Sequence, residues 1–340
     1  MDSITQAALG AAVGEAILGK KIGYRAAAWG AVLGTVPDLD ILINPFIDTV
    51  SELRFHRGLT HSITFCLLAS PLFGWIINRI HKKLDVGWRG WTKLSFFVFL
   101  THIIIDLTTT YGTQVLYPVT DTPYTTDSIF IIDPLYTLPL LVGLIVALFL
   151  KRSSHARRIA NGTGVIISSL YMIWGLGIKT HVHSVFDASF KNQYGVYEMI
   201  KTTPNGPTTF LWKGYIMQND TIYQSVYSIF DESAGLEFRA IPRNTHLIEP
   251  YMEDRALDTL LWFSRGYYTV REENGELVFY DLRFGRSDLW LTEDETADYV
   301  WRNEIRFNEA GEAFTFELST PSFDARSEVL AVFWNRIWGQ

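Results

Sequence analysis

Cysteine is almost absent from this chain of 340 residues, because Cys66 is the only one. A single cysteine excludes an intrachain disulfide and a cysteine-rich zinc site. The chain also lacks a Gly-rich phosphate loop, a serine nucleophile elbow and a basic stripe, so no nucleic-acid partner is expected. Because residues 1–3 lack a basic n-region, we expect no cleavable signal peptide, and membrane insertion must depend on internal apolar segments.

Charge divides the chain into two halves. Residues 1–180 contain 15 Lys and Arg against 11 Asp and Glu, whereas residues 181–340 contain 14 against 25. The first half also contains the long apolar runs, and the second is polar, acidic and interspersed with aromatic residues. This division predicts a membrane-embedded domain over 1–180 and a soluble acidic domain over 181–340.

The first half contains six apolar segments. They are residues 4–18, 26–43, 61–80, 94–111, 135–150 and 159–178. Several are shorter or more polar than the roughly 20 apolar residues of a lipid-exposed span. The first two are rich in small residues, which suit close packing between helices. We therefore predict an α-helical polytopic membrane bundle of about six helices.

Lysine and arginine predict the orientation of this bundle. The basic loops 19–25, 81–93 and 151–158 alternate with loops 44–60 and 112–134, which are poorer in these residues. The positive-inside rule places the basic loops in the cytoplasm. Both termini, the less basic loops and the whole second domain then lie outside.

The second half shows the pattern of a soluble α+β domain rich in antiparallel strands. Asn274-Gly275 between two aromatic and β-branched runs is typical of a type I′ hairpin turn. An amphipathic helix is predicted over 325–338. Strands are predicted over 210–217, 222–230, 236–241, 267–271 and 277–284.

His102 and Asp106 are the first candidates for chemistry. They are four residues apart in an apolar segment, so they share one face of a helix. Ionisable residues inside a span are costly unless they face a polar cavity or bind a metal. The alternative is a hydrogen-bonded pair that joins two helices.

Two further motifs contain potential metal ligands. Asp38 and Asp40 follow Pro37, where a break in the helix is expected, and two carboxylates beside a break can reach one cation. His56 and His61 flank Arg57, whose guanidinium suits a phosphate or carboxylate group. The alternatives are a helix-end turn with solvated aspartates and an interfacial loop that contacts lipid headgroups.

Taken together, the three motifs favour a metal site at the outer face of the bundle. Three histidines and three carboxylates suffice for one or two divalent ions, zinc being favoured, with a position left for water. The predicted metal ligands are Asp38, Asp40, His56, His61, His102 and Asp106. We assign catalytic roles to Asp106, His102 and Arg57, the last positioning an anionic substrate.

Four motifs of the first half resemble a known family. Residues 1–5, 34–40 and 56–62 and the His102-x-x-x-Asp106 pair are similar to the YdjM-like membrane-bound metal-dependent hydrolases, over about residues 1–180. That family is distantly similar to zinc-dependent phospholipase C, in which a helical His-x-x-x-Asp pair binds the metal cluster. The resemblance implies a bacterial inner-membrane location and an Asp106 that bridges ions. The chain departs from the family at Gln6, where many members have histidine, which implies a smaller metal count.

The predicted function is metal-dependent hydrolysis of a phosphoester or related ester, in a lipid or a small-molecule envelope precursor. A metal or proton transporter is the first alternative, and it predicts ionisable groups at mid-membrane and on the cytoplasmic side. The second is a non-catalytic membrane protein with a structural metal, which predicts a filled coordination sphere.

Overall fold

The computed structural model describes residues 1–232, 235–292, 298–319 and 327–339. The chain divides into two compact units, Met1–Ile43 with Phe55–Leu176 and Asn44–Arg54 with Gly177–Gln340. The helices are α1 Ser3–Ile22, α2 Tyr24–Thr35, α3 Thr49–Phe55, α4 Ile63–Ile80, α5 Gly87–Asp106, α6 Pro134–Phe149, α7 His155–Tyr194, α8 Arg255–Ser264 and α9 Ser327–Ile337. The strands are β1 Met199–Pro204, β2 Leu211–Gln218, β3 Thr221–Ser228, β4 Arg239–Pro242, β5 Tyr268–Glu273, β6 Glu276–Asp281, β7 Arg302–Phe307 and β8 Ala313–Ser319.

The first unit is helical, and each of the six apolar segments lies largely in a helix. By length and composition, however, only α4 and α7 of the described helices can cross a membrane alone. A third span results if α2 and the following 3-10 segment Pro37–Phe46, bent by 42°, form one broken span. The expectation of about six spans is therefore supported for two or three. The charges of α1 and α5 lower their hydropathy, and α6 has only 16 residues.

Glycines bring the backbones of α1 and α2 into direct contact. Gly10 and Gly14 of α1 face Gly30 and Gly34 of α2, and a Cβ on any of the four would overlap the backbone of the other helix. A Cβ on Gly34, for example, would lie 2.7 Å from the carbonyl oxygen of Gln6. The small residues predicted to pack helices together therefore do so, and they fix the separation of α1 and α2.

A buried ion pair joins α1 to α7. Arg157 donates from Nε to Oε1 of Glu15 at 2.6 Å and from an Nη atom to Oε2 at 2.7 Å. Both side chains are about 5% exposed or less. The bidentate geometry satisfies both carboxylate oxygens, which a charge removed from water requires.

The second unit contains two antiparallel sheets of four strands, in the orders β1-β2-β3-β4 and β5-β6-β7-β8. The predicted hairpin is confirmed, because Glu273 pairs with Glu276 and both turn residues, Asn274 and Gly275, have positive φ. All five predicted strands overlap β2 to β6. Strands β1, β7 and β8 and helix α8 were not predicted. In β7 the charges of Arg302, Glu304 and Arg306 alternate with the other residues and conceal its apolar face.

Three layers form the core of this unit. The C-terminal part of α7 packs Phe186 and Phe190 on one face of the first sheet, against Trp212 of β2. The other face packs Tyr215 against Val278 of the second sheet. Helix α7 is therefore longer than the predicted segment 159–178 and ends inside the second unit. Segment Asn44–Arg54 also belongs to this unit, although it was predicted as a loop of the membrane domain.

A lysine lies within the layer between the two sheets. Lys213 of β2 is only 3% exposed. Its burial, reinforced by the nearby charge of Lys201 and opposed by that of Asp281, lowers the pKa of its ammonium group from 10.5 to about 7. The folded protein therefore favours the neutral amine at this position.

Candidate metal centre

Four predicted ligands converge in the first unit. Asp38, His61, His102 and Asp106 each offer one donor atom, and all four atoms lie within 4.8 Å of one another. Oδ1 of Asp38 is 3.2 Å from Nε2 of His61 and 3.6 Å from Nε2 of His102. Oδ2 of Asp106 is 3.3 Å and 3.6 Å from the same two nitrogens. These four separations define one small polar centre among three segments of the chain.

Four of the six separations among these donor atoms are those of a tetrahedral metal site, and all six are at most 4.8 Å. Zinc bonds to nitrogen and oxygen of about 2.0–2.2 Å at tetrahedral angles require donors about 3.3–3.6 Å apart. The four measured distances span 3.2–3.6 Å. Two donor atoms, Nε2 of His102 and Oδ2 of Asp106, are buried and have no hydrogen-bond partner among the described residues. Burying these two polar atoms without a partner is costly, so the arrangement fits a divalent ion.

The backbone of α2 fixes the ring of His102. Nδ1 of His102 donates to the carbonyl oxygen of Gly34 at 2.8 Å. Because a carbonyl can only accept, Nδ1 carries the proton and Nε2 presents its lone pair to the centre. Gly34 is also the point at which α2 touches Gln6 of α1. The glycine contact between α1 and α2 thus positions the imidazole of His102 on α5.

Gln6 orients the carboxylate of Asp106. Its Nε2 donates to Oδ1 of Asp106 at 2.9 Å, and the nitrogen of Met1 donates to the same oxygen. Oδ1 is therefore occupied, which leaves Oδ2 to face the two histidines. Asp2 caps α1 by accepting from the backbone nitrogens of Ile4 and Thr5, and this cap places Gln6 in the second turn. In the sequence, this role of Gln6 is indicated by its being a lone amide side chain in a helix otherwise rich in alanine and glycine.

Asp40 and His56 lie outside the group of four. Oδ1 of Asp40 is 3.0 Å from Nδ1 of His56, and its Oδ2 accepts from the backbone nitrogen of Arg57 at 3.0 Å. Oδ2 also accepts from Thr60, whose hydroxyl is 3.0 Å from Nδ1 of His61. Asp40 therefore fastens the loop that carries His61. The 3-10 backbone explains this, since residues two apart in such a helix point about 120° away from each other around its axis.

Arg57 provides the positive charge beside the centre. Its Nε is 3.6 Å from Oδ2 of Asp106, and Nη1 donates to Thr109 at 2.9 Å. The guanidinium carbon lies 4.9 Å from the ring centroid of Tyr111. Arg57 has φ of 57°, a conformation that a non-glycine residue adopts only under constraint, and the bond to Asp40 supplies one.

The centre is accessible from one side. The side chain of Asp38 is 22% exposed, whereas those of His61, His102 and Asp106 are at most 1% exposed. Of these four side chains, only that of Asp38 is open to approach by a water or substrate atom. Arg57, at 4% exposure, lies next to the buried ligands.

These observations define a class of protein. It is a membrane protein with a helical N-terminal region, a C-terminal antiparallel sheet domain and a buried Asp/His centre. The family model for the YdjM inner membrane protein matches residues 1–182. The chain belongs to that family, which places it in the inner membrane. Inner membrane protein YbcI of Escherichia coli (strain K12) is 32% identical over 120 residues, covering 35% of this chain and 68% of the relative. No solved structure matches the chain.

Proposed function

We propose that the chain is a membrane-bound, metal-dependent hydrolase of phosphoesters or related esters. The observation that carries this proposal is the convergence of two imidazoles and two carboxylates within 4.8 Å of one another, with one partly exposed carboxylate and an arginine beside them. Asp38, His61, His102 and Asp106 hold one divalent ion, for which zinc has the preferred geometry. Gln6 occupies the second oxygen of Asp106, which favours a single ion over a bridged pair.

Each residue then has a defined task in hydrolysis. A divalent ion held by these residues would supply Lewis-acid activation of water and of the ester near neutral pH. Arg57 binds the anionic group of the substrate and keeps it beside Asp38, the accessible edge of the centre. Asp40 and Gly34 hold His61 and His102 in orientation through their Nδ1 sides. The buried ligands exclude water from the remaining sides.

We infer the substrate class from the membrane location, and the orientation of the centre from the distribution of charge. A centre at the end of α5 lies near one leaflet boundary, where it meets the headgroup of a lipid or of an envelope precursor. The distribution of lysine and arginine places that boundary on the outer side, with 44–60 and the second unit outside. We propose a bundle of about six membrane helices from the six apolar segments and the alternation of basic and less basic loops.

A structural metal site is the second candidate, and one observation favours it. Four protein ligands can close a tetrahedron, as they do in non-catalytic zinc sites. A hydrolase would instead need access for water or substrate beside Asp38, the partly exposed member of the group. The two candidates therefore differ in whether water exchanges at the Asp38 edge.

The deciding experiment uses full-length protein in detergent micelles. Metal content is measured after chelation and after reloading with zinc, and turnover is measured on a panel of phospholipids and other lipid phosphoesters. Hydrolysis that requires zinc and disappears in His102→Ala supports the enzyme. Stoichiometric zinc with no turnover, and a lower melting temperature on chelation, would support the structural site. Zinc flux into proteoliposomes would instead support a transporter.

A further inference from the structure

A groove lies between α4 and α5, along the first turns of α5. It has a volume of about 470 Å³. Arg89 and Lys93 line one part of its wall, and Leu67 and Phe97 line another. All of its lining residues belong to these two helices, so the groove is a feature of the membrane domain alone.

Two contacts hold the walls of the groove in place. Nε1 of Trp88 donates to the carbonyl oxygen of Pro71 at 3.0 Å and fastens the start of α5 to α4. A Cβ on Gly74 would lie 2.6 Å from the backbone nitrogen of Thr92, so the helices also touch there. The groove is therefore already formed between fixed helices, and a molecule that enters it need not separate them.

Charge and apolar surface are separated along the groove. Arg89 and Lys93 are exposed and four residues apart, so their cationic groups lie on one face of α5, about 6 Å apart along its axis. Neither forms an ion pair with any residue that the structure describes, and no described carboxylate lines the groove. Phe97 continues the same face by one more turn, and it meets Leu67, which is 57% exposed.

We propose that this groove binds one anionic phospholipid of the bilayer. The phosphate lies between Arg89 and Lys93, and an acyl chain lies along Phe97 and Leu67. The two cations without a counter-ion provide charge complementarity to a phosphate diester, and the apolar part of the groove opens on α4, a helix that can span the membrane. A free phosphate would satisfy the cations but leave the apolar part exposed to water.

This site is separate from the metal centre. Arg89 precedes the ligand His102 by 13 residues of one continuous helix, which corresponds to about 20 Å along its axis. The proposal therefore does not depend on hydrolase activity, and it survives if the metal centre is purely structural.

Full-length protein, delipidated in a neutral detergent, is titrated with phosphatidylglycerol or phosphatidylcholine, and bound lipid is counted by native mass spectrometry. The test variant is Arg89→Gln/Lys93→Gln. The matched control, Lys82→Gln/Lys83→Gln, removes the same charge from exposed positions outside the groove. We expect about fivefold weaker phosphatidylglycerol binding for each groove charge removed, about 25-fold for both, and less than twofold in the control. The swap Arg89→Lys/Lys93→Arg should retain binding.

Three outcomes would overturn the proposal. Equal losses in the test and control pairs would mean that a diffuse surface field attracts the lipid. Equal binding of phosphatidylcholine by the wild type would mean that the groove does not select a negative charge. Complete displacement of phosphatidylglycerol by soluble glycerol phosphate would mean that the apolar part contributes nothing. A melting curve for each variant, expected to match the wild type, separates lost binding from lost folding.

Discussion

Replacing Asp106 by asparagine removes one charged ligand while preserving the size of the side chain. Structural zinc sites are worth about 10–16 kcal/mol, which over four donors is about 2.5–4 kcal/mol per ligand. Because Oδ2 of Asp106 faces both histidines, we expect Asp106→Asn to raise the dissociation constant for zinc about 10²–10³-fold. Asp40→Asn, which changes only a residue behind the ligands, should cost about 10–100-fold.

The assay combines metal analysis with thermal unfolding of the full chain in detergent. At free zinc about 1,000 times the wild-type dissociation constant, binding stabilises the folded wild type by about 4 kcal/mol, whereas Asp106→Asn should gain only about 0.4–1.4 kcal/mol. Asp85→Asn, a fully exposed carboxylate, provides the control and should behave as wild type. An Asp106→Asn protein that keeps its zinc but melts earlier would refute the ligand assignment. The pair with His102 would then serve to join helices.

Four further predictions follow from individual contacts. Arg57→Lys should leave bound zinc unchanged but weaken an anionic substrate at least tenfold in KM, since a point charge replaces a fork. Gln6→Leu should weaken zinc about 10–100-fold, measured by competition with a chelator, because the carboxylate it orients loses a donor. Glu15→Gln should lower the free energy of unfolding by about 3–5 kcal/mol, as it leaves its arginine partner buried and unpaired, whereas replacing both partners by apolar residues should cost less. Lys213→Met should stabilise the second unit by a few kcal/mol near pH 7–8, measured by urea unfolding. Between pH 7 and 10.5, Lys213 is protonated in the unfolded wild-type chain and neutral in the folded one. The free energy of unfolding of the wild type should therefore rise with pH across this window, and that of the variant should not.

Spacing along the chain predicted the part of the centre that depends on regular helix geometry. His102 and Asp106 share a face of α5 because they are four apart, and this relation holds wherever α5 lies. Asp38 was predictable from the break at Pro37. The sequence could not show that Asp40, unlike Asp38, lies outside the centre. Whether residues two apart face one ion depends on the local helix type. The 3-10 geometry of Pro37–Phe46 points the two carboxylates in different directions.

Contacts that depend on tertiary packing could not be predicted. Gln6 lies 100 residues from Asp106 in sequence, and only the crossing of α1 with α5 brings them together. The same applies to segment Asn44–Arg54, which pairs with the second unit through bonds such as that from Arg255 to Asp48. Its sequence is that of an ordinary polar loop. The sheets were predictable where aromatic and β-branched residues are continuous, and they were missed in β7 and β8, where ion pairs between strands occupy the exposed face.

The glycine contact between α1 and α2 makes part of the bundle as intolerant of mutation as the metal ligands themselves. A methyl group at Gly34 would displace either Gln6, which orients Asp106, or the carbonyl that holds His102. A methyl group at Gly10 or Gly30 would push apart the same two helices one or two turns further along. In a saturation mutagenesis screen for zinc binding, these glycines should therefore score with the ligands, although they contain no atom that can coordinate an ion.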